Sequence, residues 1–103
     1  VGVVHPFSAG LSVVLGLHHC VANCVTMMVM EPYYADEYRE FRTFVDRNEI
    51  EIPTNVCQGL SDTQFDELYR ATIVHEKPLT NAFGPEFRLE LTERRVRELF
   101  EKM

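Results

Sequence analysis

Residues 1 to 30 contain no Asp, Glu, Lys or Arg, and every charged residue of the chain lies from Glu31 onward. Within the uncharged stretch the apolar positions predict two helices buried in a larger protein interior. The first runs from about Val4 to Val14, and the break falls near Gly16 and Leu17. From Pro32 the pattern changes. Tyr34, Tyr38, Phe41 and Val45 recur at helical spacing among Asp36, Glu37, Arg39, Glu40 and Arg42, which predicts a surface helix ending near Asn48. Ile50, Glu51 and Ile52 form a short extended run before Pro53, which cannot continue a helix. Ser61 followed by Gln64 has capping-box spacing, and Phe65, Leu68, Tyr69 and Thr72 mark one face of a helix to about Val74. His75 to Glu90, with Pro78, Gly84 and Pro85, reads as a loop. Thr92 caps a last helix striped by Val96, Leu99, Phe100 and Met103. The expected fold is all-α, about five helices with almost no strand. It forms one domain over 1–103, with a buried hairpin over 1–30 and amphipathic helices over 31–103.

Composition narrows what such a domain does. With 103 residues there is room for one domain and no separate nucleotide-binding half. Ten Lys and Arg against sixteen Asp and Glu give a net charge of −6, which argues against neutralising a phosphate backbone, so no nucleic-acid partner is expected. The uncharged stretch is long enough to span a bilayer, but His5, Pro6, Gly10, Gly16, His18, His19 and Asn23 interrupt it, so no membrane segment is expected either. Three Cys fit a disulfide framework poorly and a reducing cytoplasm well. The chain opens on Val without a signal-peptide pattern, so it is expected to be processed, trimmed or excerpted from a longer parent.

Candidate chemistry concentrates in the uncharged stretch, at His5, His18, His19, Cys20 and Cys24. Imidazole and thiolate are the usual ligands of zinc and other first-row metals. One arrangement gathers His19, Cys20 and Cys24 into a local site. Another brings His5 and His19 together across the turn. A helix from Val4 to Val14 rises roughly 15 Å, and residues 15 to 18, extended, return about 13 Å, so His19 can just reach back to His5. Two histidines are half of a four-ligand site and need at least one further ligand from elsewhere. The competing reading makes them buried, hydrogen-bonded core histidines. Cys20 and Cys24, one turn apart, suit core filling, as do Met27, Met28 and Met30. Tyr33 and Tyr34 suit either packing or a pocket wall. His75, beside Glu76 and Lys77, reads as solvated.

The runs Val3-Val4-His5-Pro6-Phe7-Ser8-Ala9-Gly10 and His18-His19-Cys20-Val21-Ala22-Asn23-Cys24 resemble the metal-binding signature of the iron-containing (group III) alcohol dehydrogenases. In that family a histidine opens one helix, and a second stands fourteen residues later, ahead of a small-residue run ending in Ala-Asn. His5 and His19 have that separation, and Val21-Ala22-Asn23 follows. The rest of the chain is similar to the family's helical C-terminal domain, including the helix start at Leu91-Thr92. The two runs are most similar to those of its sugar-acid branch, the 3-deoxy-D-manno-octulosonate 8-oxidase-like enzymes. The resemblance implies that His5 and His19 ligate a divalent iron or zinc in a parent oxidoreductase acting on an alcohol or sugar-acid hydroxyl.

Four departures qualify it. The family's additional histidine, four residues after the first ligand and linked to proton transfer, is Ala9 here. The Gly that usually follows the second histidine is Cys20, which adds a side chain beside the metal. The family's other ligands, an Asp and a His one helical turn apart, have no counterpart. Nor does the N-terminal dinucleotide fold that binds NAD(P). The chain is therefore expected to hold half a site and to be inactive alone, with the missing domain as its partner. The rival expectation is a stand-alone, truncated helical domain without catalysis that self-associates through its apolar hairpin. A third is a small metal-binding module built on Cys20 and Cys24.

Overall fold

The computed structural model describes residues 2–103. Among the described residues seven helices follow one another: α1 (Val4–Leu15), α2 (His19–Met27), α3 (Ala35–Arg47), α4 (Asp62–Ile73), α5 (Glu76–Phe83), α6 (Phe87–Glu90) and α7 (Glu93–Glu101). No strand occurs among the described residues, and Ile50–Ile52 stays irregular. No described helix is long and apolar enough to cross a membrane.

The hairpin breaks where its glycine falls. Gly16 takes the left-handed conformation, φ 71°, and donates its N–H to the Ser12 carbonyl, which ends α1. Residues 16–18 then lead into α2. His18 caps that helix with its own ring, Nδ1 accepting the Cys20 N–H at 3.3 Å. Val4, Phe7, Ser8 and Leu11, spaced at three and four, form the buried face of α1, and this face packs on α4. Gly10 makes that approach possible, because a Cβ there would meet Thr72 Oγ1 at 3.0 Å and the Leu68 carbonyl at 3.4 Å. Thr72 in turn donates its hydroxyl to the Leu68 carbonyl at 2.8 Å, so the hydroxyl is satisfied inside the contact. The Phe7 and Phe100 rings lie 5.0 Å apart and join α1 to the last helix, whose Val96, Leu99 and Phe100 are all fully buried.

The caps expected at Ser61 and Thr92 are both present. Ser61 Oγ accepts the Gln64 N–H at 3.2 Å while Gln64 Oε1 accepts the Ser61 N–H at 2.9 Å. Thr92 Oγ1 accepts the Arg95 N–H at 3.2 Å.

Two expectations need correction. The loop assigned to 75–90 contains α5 and α6. Pro78 is the third residue of α5, within the first turn, where a backbone N–H has no intrahelical partner to lose. Leu79 and Phe87 anchor the two helices in the core, and Arg88 pairs with Glu76 at 2.7 Å across them. The hairpin is also less buried than expected. One side of α1 is core, but His5, Val13, His18, His19 and Cys20 are exposed.

Candidate metal centre

Three histidines stand at the starts of three helices. His5 is the second residue of α1, His19 the first of α2, and His75 immediately precedes α5. The ring centroids of His5 and His19 lie 6.3 Å apart, with the planes 68° from parallel. The chain therefore makes the return along α1 that its length permits. The His75 ring also lies beside His5, at 5.2 Å and 81°. It arrives there because α5 begins against the residues that lead into α1: Gly2 has no Cβ where one would meet the Pro78 carbonyl oxygen at 3.0 Å. A Val or Leu at Gly2 would push the two apart.

Neither His5 nor His19 is the buried, hydrogen-bonded core histidine that periodicity allowed. Both rings are exposed, and among the described residues neither takes part in a hydrogen bond. His75, expected to be solvated, is half-buried. Burial, and secondarily the proximity of His5, hold it below the usual imidazole range, which favours the neutral form that ligates metals. Its neighbour Glu76 is committed to Arg88. His18 has its Nδ1 engaged in capping α2.

The thiols do something else. Cys20 is exposed and Cys24 half-buried, so neither fills the core as expected. Together with Ile50, Ile52 and Pro53 they line a shallow cleft of about 180 Å³. Cys57 is the buried thiol, and desolvation pushes it up to about 11. Tyr33 and Tyr34 are packing residues. Tyr33 meets Phe83 edge-on at 5.5 Å and accepts a hydrogen bond from Arg95 Nε at 3.1 Å. Tyr34 Oη accepts the Val3 N–H at 3.1 Å. Met30 is buried.

Among the described residues, no group of three or more His, Cys, Asp or Glu side chains is placed so as to hold a metal ion. What the fold supplies is two exposed imidazoles on facing helix starts, with a third ring beside them. A cleft of about 480 Å³ on α3, lined by residues such as Arg39, Phe44 and Arg47, includes none of these histidines. Sequence reasoning missed His75 because its place depends on where α5 starts, and Pro78 had marked that segment as loop. No family model matches the chain.

Proposed function

We propose that the chain is the C-terminal, metal-binding portion of a metal-dependent alcohol dehydrogenase-like oxidoreductase acting on an alcohol or sugar-acid hydroxyl. The observation that carries this reading is the 6.3 Å approach of His5 and His19, two residues fourteen apart in sequence. Gly16 and the return of the chain beside α1 bring them together. The donor set fits a divalent iron or zinc, since exposed imidazoles without competing hydrogen bonds are available as ligands. A metal held there would polarise the substrate's alcohol oxygen and lower its pKa, while a nicotinamide on a domain outside this chain would accept the hydride.

This chain's own contribution is positional. α1 fixes His5 through the buried Phe7 and Leu11, and the His18 cap fixes the start of α2 and hence His19. Ala9, one turn after His5, offers no proton-transfer group, so any relay in the parent runs through other residues.

The test is to replace His5 and His19 separately by Ala in the longest natural chain that contains these residues, and to measure bound metal and alcohol oxidation. Loss of both properties in both variants is expected. Retained metal and turnover would end the assignment. The alternative, a self-associating domain without catalysis, draws on the exposed Val13, Val74 and Leu89. The buried face of α1, however, is already covered by α4 within the chain. A monomer in sedimentation velocity removes that alternative.

A further inference from the structure

The sequence offers two imidazoles to a metal, and two make an incomplete site. We infer that His75 supplies the third, so that His5, His19 and His75 form a divalent-cation site belonging to this chain alone. The inference rests on the reading of His5 and His19 as ligands and adds to it a residue from a different part of the chain.

The geometry can be checked against coordination distances. An imidazole nitrogen about 2.0 to 2.1 Å from zinc places its ring centroid roughly 3 Å from the ion, so two rings at a tetrahedral angle sit roughly 5 Å apart. His5 and His75, at 5.2 Å, already have that separation. His5 and His19, at 6.3 Å, exceed it by about 1 Å, which rotation of two exposed rings can close. The ring planes are steeply inclined in both pairs, at 68° and 81°, so neither pair is stacked face to face. His5 is the common member of both pairs, and a shared ion would require the rings of His19 and His75 to turn toward one another about it.

The backbones beneath the rings are held independently of any ion. α1 is packed on α4, α2 is capped by His18, and the start of α5 lies against Gly2, with Leu79 buried one turn on. Ordering three long elements around a cation therefore costs little beyond fixing the ring torsions. Three neutral imidazoles suit zinc, iron, cobalt, nickel or copper and discriminate against magnesium and calcium, which take oxygen ligands. They also leave the ion's full charge uncompensated and a coordination position open. That is the arrangement of three-ligand zinc sites that bind water or substrate in the fourth place.

The test is zinc titration of the 103-residue chain by isothermal calorimetry. The variants are His5→Ala, His19→Ala, His75→Ala, His75→Asn and the double Cys20→Ser/Cys24→Ser. His75→Asn matters because Asn is a favoured residue at the position before a helix, so α5 keeps its start while the imidazole is lost. Circular dichroism checks that helical content stays at the wild-type level. The expected result is one zinc per wild-type chain, at least about tenfold weaker binding in each histidine variant, and unchanged binding in the double Cys variant. Wild-type affinity in His75→Asn, with binding lost in His5→Ala and His19→Ala, would overturn the third ligand and leave the pair standing. No zinc binding by the wild-type chain, or binding retained without His5 and His19, would overturn both.

Discussion

Single residues decide how this fold presents its chemistry, and the thiols show it most simply. Cys57 is buried, and desolvation raises it from 9.0 to about 11, so in the folded chain it stays protonated while the unfolded chain ionises first. A group raised on folding stabilises below its unfolded pKa, and that contribution is lost as pH rises through the folded value. Stability should therefore fall between pH 9 and about 11, by up to about 2 to 3 kcal/mol. The difference between urea denaturation of the wild type and of Cys57→Ala, followed across that range, measures it. A difference independent of pH would contradict the burial argument. Thiol labelling near neutral pH gives a companion result: Cys20 reacts in the folded chain and Cys57 does not, and equal rates at both would contradict the placement. Phe7, fully buried against Phe100, sits at the junction of the first and last helices. Phe7→Ala should cost about 3 to 5 kcal/mol, read from the shift in denaturation midpoint.

Element by element, legibility followed the strength of the local signal. The capping box at Ser61 and Gln64 and the cap at Thr92 were readable because a side chain there satisfies backbone donors a fixed number of residues away. Ser61→Ala should destabilise the chain by about 1 kcal/mol in urea, and no change would mean the cap carries no weight. The break at Gly16 was readable for the same local reason, since a left-handed residue ends a helix. α5 and α6 were not legible. Pro78 and Pro85 read as breakers, and only the burial of Leu79 and Phe87 shows that these short helices owe their existence to tertiary packing rather than to propensity. The same misreading hid His75, whose approach to His5 depends on where α5 starts. The contact between α1 and α4 was equally silent in the sequence, because it rests on the absence of a side chain. Gly10→Val should cost about 1 to 3 kcal/mol by driving methyl groups into Thr72 and the Leu68 carbonyl, and thermal denaturation checks it.

At the scale of the whole molecule, the uncharged first thirty residues divide between core and surface. The face of α1 carrying Val4, Phe7 and Leu11 is the centre of the core, while His5 on α1 and His19 at the start of α2 are exposed. A segment that supplies this much of the core cannot carry many charges on its buried face. Asp or Glu on its buried face would cost several kcal/mol each without partners. The sequence therefore singled out the two histidines, and chain reach anticipated the His5–His19 approach. It could not show that the two rings stand in solvent, because a charge-poor pattern reads the same whether a histidine faces the core or the edge. The central claim is that imidazoles at His5 and His19 hold a divalent metal, and X-ray absorption at the zinc edge of the zinc-loaded chain tests it most directly. A first shell of nitrogen with the multiple scattering of two or more imidazoles, lost on replacing His5 and His19, is the predicted result. A shell containing sulfur, or one unchanged by those replacements, would contradict it.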